Sequence, residues 1–339
     1  MTRLRVAVLM GGRSSEHDIS LASARSVLDA LSDRHDTLVV EIDRTGRWAL
    51  PGASSPRELA GKKQPVETLP VPAEAAVPVV LRDADVVFPV LHGPFGEDGT
   101  VQGLLELANL PYVGAGVLAS ALCMDKDVFK AVLRDRGVPV TRSVTLRNGD
   151  PIEHSFAYPV FVKPARLGSS VGISKVHEPG ELEPAVALAR RHDEKVLIEE
   201  FITGTEVECG VLGNLDPIAS LPGQIVVNAE WYDFAAKYEE GGMELVVPPP
   251  LPEETIARIQ ELAVAAFVAS ECEGMARVDF FVRDEGEILV NELNTIPGFT
   301  STSVYARLFE ASGIPYPELL DRLIELGLER YERRQRYAY

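Results

Sequence analysis

The stretch ARVDFFVRDEGEILVNELNTIPGFTSTS, residues 276–303, constrains the fold more than any other part of this chain. Its alternation predicts a β-hairpin, because successive side chains of a strand point to opposite faces. In the expected register Asp279 faces Glu292 and Arg277 faces Asn294. The hairpin therefore gathers four polar side chains onto one surface of a sheet.

That register requires a two-residue turn at Glu285-Gly286, with Asp284 opposite Glu287. Side chains directly opposite each other on paired strands lie about 5 Å apart. Two carboxylates at that separation repel each other, so the facing carboxylates of the hairpin need a cation between them.

The carboxylate and amide groups of the hairpin offer only oxygen atoms to such a cation. The donors are Asp279, Glu292 and Asn294, and this set suits Mg²⁺ that also holds substrate phosphates. The alternative is an ordinary solvated strand face. The apolar run beside the hairpin and the Gly/Pro/Ser/Thr loop after it favour the metal site.

The composition is that of an ordinary globular protein and excludes several classes of partner. The chain has 339 residues, enough for two or three domains, and it is 46% hydrophobic and 25% charged. Its formal net charge of -18 argues against nucleic acid and anionic membranes, since either needs a basic surface. A nucleotide would need a few lysines placed locally in this acidic background.

The cysteines and histidines indicate a reducing compartment and no zinc site. Cys123, Cys209 and Cys272 are far apart and flanked by apolar residues, which predicts buried free thiols. The chain has no CxxC and no HExxH motif. No apolar run approaches the ~20 residues that cross a membrane. We therefore expect a cytoplasmic protein.

The N-terminal part alternates buried strands with helices. Strands are predicted at 6–10, 38–42 and 85–91, with a helix at 18–31 after a glycine-rich turn. This alternation predicts a doubly wound α/β domain, whose ligands lie at the carboxyl ends of the strands. The turn and His92 both fall at those ends.

The loop ARLGSSVG, residues 165–172, lies between two predicted strands. A Rossmann or Walker loop needs a strand followed by a helix, so this loop is neither. Its glycines let backbone amides approach an anion closely and its serines add donors, as a phosphate-binding hairpin requires. A flexible hairpin tip is the alternative, and Lys163 just before the loop favours phosphate.

Two other segments each allow two interpretations. VLIEEFITGTE, residues 196–206, is either a buried strand or an adenine site, with the backbone of 199–202 on the purine and Glu206 on the ribose. In GGRSSEHDIS, Glu16 stands just before a helix, where it either caps that helix or anchors an ammonium group.

Together these segments resemble the D-alanine–D-alanine ligases of the ATP-grasp superfamily. The matches run from residue 6 to beyond 300 in the family's order, and only residues 46–77 lack an evident counterpart. The matching stretches are GGRSSEHDIS, FPVLHGPFGEDGTVQGLLELANLPYVGAGVLASALCMDK, VKPARLGSSVGISKV, VLIEEFITGTE, YDFAAKY, ARVDFF and NELNTIPGFTSTS. The combination is highly specific, although no single motif is.

The resemblance implies an α/β fold in three parts. An N-terminal doubly wound parallel-sheet domain, residues 1–122, would bind substrate. A two-part ATP-grasp fold would follow, with a central domain at 123–214 and a C-terminal domain at 215–339 that holds the metal and catalytic residues. Antiparallel sheets of these two parts would hold ATP between them, and the whole would form a homodimer.

The implied reaction joins two D-alanines through a D-alanyl phosphate, giving D-alanyl-D-alanine for peptidoglycan, ADP and phosphate. It uses ATP and two Mg²⁺ ions, with Mn²⁺ as a substitute. The residues implied for ATP and its phosphates are Lys126, Lys163, Ser169, Ser170, Glu199, Glu200, Ile202, Glu206 and Lys237. The implied metal ligands are Asp279, Glu292 and Asn294.

The resemblance also implies roles on the substrate side. Arg277 and the Gly298 amide would stabilise the tetrahedral oxyanion. Glu16 would bind the first ammonium group, and His92 would lie near the first carboxylate. The remaining implied roles are Ser303 and the Val304 amide for the second carboxylate, and Tyr238, Ser169 and Glu16 as a hydrogen-bonded latch.

Other acceptors and one non-enzymatic role are the alternatives. In the branch of the family that makes D-alanyl-D-lactate the Lys-Tyr pair of the mobile loop is lost, and Lys237-Tyr238 is present here. A D-serine acceptor is harder to exclude. A ligase for another amino acid would lack the match at Glu16 and His92. An inactive nucleotide-gated scaffold would have lost a metal ligand or Arg277.

Overall fold

Three β-sheets with helices packed on them make up the structure. A computed structural model describes residues 3–49, 81–227 and 243–338. Most of region 46–77, together with Lys237 and Tyr238, lies outside the described residues. None of the described helices is long and apolar enough to cross a membrane.

The N-terminal sheet has a parallel core, as predicted. Its elements are β1 (Arg5–Gly11), α1 (His17–Leu31), β2 (Asp36–Ile42), β3 (Trp48–Ala49), β4 (Val86–Pro89) and α2 (Thr100–Leu107). The strand order is β3-β2-β1-β4, and β1 pairs in parallel with both β2 and β4. Residues 6–9 of β1 are fully buried, as expected of a strand that is covered on both faces.

The sequence pattern of residues 118–137 is helical and by itself predicts one helix, but two helices form there. Helix α3 covers Val117–Met124 and α4 covers Lys126–Asp135. The helical conformation is interrupted at Asp125, where the backbone is extended. The Asp125 carboxylate accepts the Val128 N–H at 3.2 Å. This N-cap starts a new helix. Lys126 therefore stands at the first residue of a helix and not inside one.

The second sheet is antiparallel and carries the predicted phosphate loop. Its elements are β5 (Ser143–Leu146), β6 (Val160–Pro164), β7 (Ser174–Val176), α5 (Leu182–Ala189) and β8 (Val196–Glu200). The strand order is β5-β8-β6-β7. The loop 165–172 joins β6 to β7, and these strands pair antiparallel. The loop thus has the strand-to-strand context that the sequence predicts.

The third sheet is also antiparallel and has six strands. Its elements are β9 (Thr205–Gly213), β10 (Ile218–Ala219), β11 (Gly223–Val227), β12 (Met243–Val246), α6 (Glu253–Ala269), β13 (Gly274–Val282) and β14 (Ile288–Asn294). The order is β12-β11-β9-β13-β14, with β10 paired to β9. Because β9 belongs here, this sheet draws on both sides of the expected boundary at 214/215.

The β13–β14 hairpin has the predicted register around Asp279 and Glu292, but the register at its turn differs from the prediction. The pairs that form as predicted are Asp279 with Glu292 and Arg277 with Asn294. The predicted pairing of Asp284 with Glu287 is wrong, because the Arg283 N–H donates to the Glu287 carbonyl at 2.9 Å. The turn is one residue longer, with Gly286 at a φ of 89°. A β-bulge at Asn291 then restores the register.

Two C-terminal helices pack back against the N-terminal sheet. Helix α7 covers Val304–Ala311 and α8 covers Tyr316–Arg334. Their apolar faces share one core with β1, β4 and α1. Buried polar contacts fix α8 in place: Arg330 donates to the Tyr112 carbonyl at 3.0 Å, and Asp321 bonds His35 at 3.1 Å. Helix α8 is therefore held against the N-terminal part of the chain.

Candidate active site

A cavity of about 380 Å³ lies between the second and third sheets. The predicted nucleotide and metal residues that line it are Lys126, Lys163, Ser169, Ser170, Glu199, Glu200, Ile202, Glu206 and Glu292. The rings of Phe161 and Phe201, whose centroids lie 6.1 Å apart, form an aromatic part of the wall. The Lys175 ammonium lies 4.6 Å from the centroid of the Phe201 ring. Segments far apart in sequence thus meet around one polar cavity with aromatic walls.

Lys126 connects the phosphate loop to the hairpin. Its ammonium donates to the Leu167 carbonyl at 2.9 Å and lies 3.3 Å from a carboxylate oxygen of Glu292. The residue is buried because it begins α4 directly beneath the loop. A cation held there faces both the expected phosphate position and one of the expected metal ligands.

Glu199 forms an ion cluster that the sequence analysis did not foresee. Its carboxylate pairs with Lys163 and with Lys130, and Lys130 also donates to Thr141 at 2.6 Å. Burial lowers the pKa of Lys130 to about 8, although Glu199 opposes that effect. Burial alone would raise the pKa of Glu199, but the two lysines outweigh it and the net shift is downward. The Glu199 side chain therefore orients Lys163, which leaves only its backbone for a purine.

The carboxylate of Glu200 is bound by two arginines. Arg142 donates to it through Nη2 at 2.6 Å and Nε at 3.0 Å, and Arg283 lies 3.3 Å away. Burial opposes ionisation of Glu200, yet the bonds from Arg142 hold its pKa below the usual value. The backbone of this residue is again the part that can meet a nucleotide.

The phosphate loop makes a direct contact with the N-terminal part. The Ser169 hydroxyl donates to the Glu16 carboxylate, so the two described members of the expected latch touch each other. Ser169 and Ser170 have φ values of 51° and 58°, a left-handed conformation that turns successive N–H groups toward one side. Such a concave set of N–H groups suits a phosphate.

Arg277 lies at the centre of the hairpin's polar face. Its guanidinium donates to both carboxylate oxygens of Asp279 at 2.8 Å each and lies 2.8 Å from Glu208 on β9. The Asn294 amide donates to Asp279 at 3.0 Å. Glu208 was not foreseen, because its contact with Arg277 depends on the pairing of β9 with β13.

The hairpin face fits a magnesium ion by the chemistry of its donors. Asp279 and Glu292 supply two carboxylates on paired strands, and Asn294 supplies an amide oxygen two residues from Glu292. No group of three His, Cys, Asp or Glu side chains within the described parts of the chain could hold a metal. The site is therefore a partial set of oxygen ligands, which phosphate oxygens would complete.

His92 is a neutral, buried link between two loops. Its Nδ1 lies 3.1 Å from the Ile296 carbonyl, and its Nε2 lies 3.3 Å from the Ser23 hydroxyl. Burial lowers its pKa, although the Glu16 charge and the Ile296 carbonyl oppose that effect. With both ring nitrogens engaged, the imidazole orients the Ile296 loop more readily than it binds a substrate charge.

The loop after β14 leads into a helix N-terminus. Ser303 occupies the N-cap position of α7. Its Oγ does not cap the helix but accepts the Thr300 N–H of the preceding loop at 3.0 Å. A Cβ added to Gly298 would lie 3.0 Å from that same oxygen, so Gly298, Ser303 and the Val304 N–H lie close together. The helix dipole favours a carboxylate at this place.

A second and larger cavity, of about 760 Å³, lies at the carboxyl ends of the N-terminal strands. Its walls are mostly apolar and include Trp48, Leu91, Phe95 and Leu104, with His92 at one side. A triphosphate needs cationic partners, and Lys126 and Lys163 line the smaller cavity, whereas the walls of the larger one are mostly apolar. The smaller cavity is therefore the candidate active site.

The chain matches two family profiles along most of its length. The profile described as D-ala D-ala ligase N-terminus matches residues 5–115, and the one described as D-ala D-ala ligase C-terminus matches residues 132–325. The chain belongs to the D-alanine–D-alanine ligase family. A relative from Solibacter usitatus named D-alanine–D-alanine ligase is 48% identical, over 98% of each chain.

Solved structures of the family share the whole fold. The VanG D-Ala:D-Ser ligase of Enterococcus faecalis is 37% identical with a TM-score of 0.84, over 96% of this chain and 100% of that one. The ligase of Bacillus anthracis complexed with ATP is 27% identical with a TM-score of 0.77, over 98% and 99%. The predicted ATP-grasp architecture is thereby confirmed.

Proposed function

We propose that this protein joins two D-alanines to D-alanyl-D-alanine at the expense of ATP, for peptidoglycan precursors. The observation that best supports this is one chain of polar contacts. Glu16 contacts Ser169 of the phosphate loop, and Lys126 joins that loop to Glu292 of the hairpin. The residues that we propose for the ammonium group, the phosphates and the metal are thus neighbours.

The first step activates a carboxylate, which at neutral pH is too electron-rich for attack by an amine. A carboxylate oxygen of the first D-alanine attacks the γ-phosphorus of ATP, and the bond to ADP breaks. The product is D-alanyl phosphate. Lys126, Lys163 and Lys237, with the N–H groups of Ser169 and Ser170, stabilise the charge on the transferring phosphoryl group.

In this proposal two Mg²⁺ ions, which Mn²⁺ could replace, would be held by Asp279, Glu292 and Asn294. When bound there, Mg²⁺ would supply positive charge that offsets the charge of the phosphates. The backbone of residues 199–202 binds the adenine edge, and Glu206 binds the ribose.

The second step forms the peptide bond. The amine of the second D-alanine attacks the acyl carbon, the carbon–oxygen bond to phosphate breaks, and inorganic phosphate leaves. Arg277 and the Gly298 N–H stabilise the oxyanion. Glu16 holds the first amino group. Ser303 and the Val304 N–H bind the second carboxylate at the start of α7.

Closure over the site protects the acyl phosphate from water. In the proposed latch the Tyr238 hydroxyl joins the pair formed by Ser169 and Glu16. Water exclusion matters because an acyl phosphate that meets water is hydrolysed.

D-serine is a second candidate acceptor, because the D-Ala:D-Ser ligase compared above has the same fold over the whole chain. D-lactate is less favoured, because Lys237-Tyr238 is present. We also propose that the protein acts in the cytoplasm and that it forms a homodimer. Light scattering of the purified chain tests the dimer.

One assay tests the function. The protein is incubated with ATP, Mg²⁺ and D-alanine, phosphate release is measured, and the product is identified by mass. D-serine and D-lactate, each with D-alanine, test the acceptor. We expect one phosphate per D-alanyl-D-alanine. A mixed dipeptide formed faster than D-alanyl-D-alanine would assign the D-serine activity instead.

A further inference from the structure

Lys130 is a buried lysine that lies beside the nucleotide cavity without forming part of its wall. Its side chain is fully buried, and the described residues that line the cavity do not include it. It follows Lys126 by four residues on α4, so both side chains leave the same face of that helix. Lys126 reaches the hairpin of the third sheet, whereas Lys130 reaches the second sheet.

Lys130 shares one carboxylate with a lysine of the cavity wall. Its ammonium pairs with one oxygen of Glu199, and the Lys163 ammonium pairs with the other. The Lys130 ammonium also donates to the Thr141 hydroxyl at 2.6 Å. The Thr141 N–H in turn donates to the Val290 carbonyl of β14 at 3.2 Å. Lys130 therefore joins α4 to the second and third sheets.

The shared carboxylate determines how much positive charge remains for a phosphate. If Lys163 were the only partner of Glu199, a phosphate would have to compete with that carboxylate for the lysine. With Lys130 on its other oxygen, Glu199 keeps a cationic partner when Lys163 turns to a phosphate. Among the described residues the three ammonium groups of Lys126, Lys130 and Lys163 face the two carboxylates of Glu199 and Glu292. One positive charge therefore remains for the nucleotide.

We propose that Lys130 is a positioning residue for ATP: it is the permanent counter-ion of Glu199, and it thereby leaves Lys163 available to the phosphates. The inference deepens the proposed function, because it rests on the proposed role of Lys163. At pH 7 the Lys130 ammonium is mostly charged, since burial lowers its pKa only to about 8. In this arrangement Lys130 does not touch the nucleotide and acts through Glu199.

Nucleotide binding by variants of changed charge tests this role. The probe is β,γ-imido-ATP with Mg²⁺ at pH 7, and isothermal titration calorimetry measures its Kd. Lys130→Met keeps an apolar stem and removes the charge, so Glu199 is left with Lys163 alone. We expect the Kd to rise on the order of tenfold to a hundredfold, the effect of one unit charge within about 10 Å at an effective dielectric constant of 20.

A double variant separates the effect of charge from a loss of packing. Lys130→Met combined with Glu199→Gln removes one cation and one carboxylate, so the cluster regains the net charge of the wild type. The glutamine amide oxygen still accepts a hydrogen bond from Lys163. The Kd of the double variant should lie within about threefold of the wild-type value, because both partners are replaced together. A double variant that binds as weakly as Lys130→Met would overturn the proposal.

Lys195→Met is the matched control. Lys195 is also buried, and its ammonium is shared by two carboxylates at the start of α4, at 2.7 Å from Asp125 and 3.2 Å from Asp127. Among the described residues no lysine of the cavity wall pairs with either carboxylate. Its Kd should equal that of the wild type. A rise as large as that of Lys130→Met would overturn the proposal, since loss of any buried lysine beside α4 would then weaken binding.

Lys130→Gln takes the place of Lys130→Met if that variant does not fold, because its amide can hydrogen-bond Thr141 while the charge is absent. The same rise in Kd is expected. An uncharged variant that binds the nucleotide as tightly as the wild type overturns only the role of Lys130. A wild type that does not bind the nucleotide overturns the proposed function.

Discussion

The nucleotide side and the substrate side of the active site differ in how their buried charged groups are arranged. On the nucleotide side one carboxylate, Glu199, is shared by Lys130 and Lys163, so opposite charges lie in contact. On the substrate side Glu16 and Glu97 lie on two sides of Gly93, so like charges are neighbours. The first half is internally paired, whereas the second half favours an added cation.

This difference shows in the ionisation of the groups. The lysines lower the pKa of Glu199 despite its burial, and burial together with Glu16 raises the pKa of Glu97 to about 8. A paired cluster keeps its shape without ligand. The nucleotide side thus has its charges paired without a ligand, whereas the substrate side has two neighbouring carboxylates.

The largest expected effect is on the stability of the nucleotide side. Glu199→Gln leaves two buried lysines without their shared carboxylate, and removing one partner of a buried pair costs about 3–5 kcal/mol of unfolding free energy. Urea unfolding at neutral pH measures the loss. Because the pKa of Glu199 is lowered, its contribution is present at neutral pH and is lost as the pH falls through the carboxyl range.

The neighbouring residue provides the control for that measurement. Glu200→Gln removes a carboxylate whose main partner, Arg142, has 72% of its side chain exposed. Because that partner remains in contact with water, we expect a smaller loss than for Glu199→Gln, whose two lysines are buried. Similar losses for Glu199→Gln and Glu200→Gln would show that the buried cluster has no special role.

Arg277→Met should reduce kcat by about 10²–10³, because it removes the proposed oxyanion donor. The KM for ATP should change little, since Arg277 contacts Asp279 and Glu208 rather than the phosphate loop. Steady-state kinetics separate the two parameters. A collapse of ATP affinity with kcat intact would assign Arg277 to the nucleotide side.

Glu292→Gln should raise the Mg²⁺ concentration needed for activity by roughly a hundredfold, because a unit charge a few Å from the metal contributes a few kcal/mol at an effective dielectric constant of 20. Titration with Mn²⁺, followed by electron paramagnetic resonance with ADP present, measures the metal directly. Unchanged metal affinity would remove Glu292 from the ligand set.

The smallest expected effect is on the latch. Tyr238→Phe removes one hydroxyl, whose hydrogen bond contributes about 0.5–1.5 kcal/mol. We expect a higher KM for the second D-alanine and more phosphate released than dipeptide formed. If both quantities equal those of the wild type, Tyr238 does not close the site.

Local pattern was enough to predict the hairpin face and the parallel N-terminal strands. Strand alternation put Asp279 opposite Glu292, and the structure has that pair. The turn was wrong by one residue because alternation does not reveal a bulge, and here Asn291 absorbs the shift. The helix break at Asp125 was missed for a similar reason, since the apolar spacing continues across it.

Partners contributed by distant segments could not be predicted. Lys130 meets Glu199, 69 residues away, and Glu208 meets Arg277 only because β9 pairs with β13. Glu97 stands in the motif HGPFGEDG, yet its contact with Ile296 spans 199 residues. Single-sequence patterns give the face of an element, and tertiary packing decides what that face meets.

The proposed chemistry depends on activation of a D-alanine carboxylate as an acyl phosphate in this site. D-alanine labelled with ¹⁸O in both carboxyl oxygens tests it most directly, with Mg²⁺ and unlabelled ATP. Attack of a carboxylate oxygen on the γ-phosphorus transfers that oxygen to the phosphate that later leaves. We expect one ¹⁸O atom in the phosphate that is released with each dipeptide, as read by mass spectrometry. Dipeptide formed with unlabelled phosphate would contradict it.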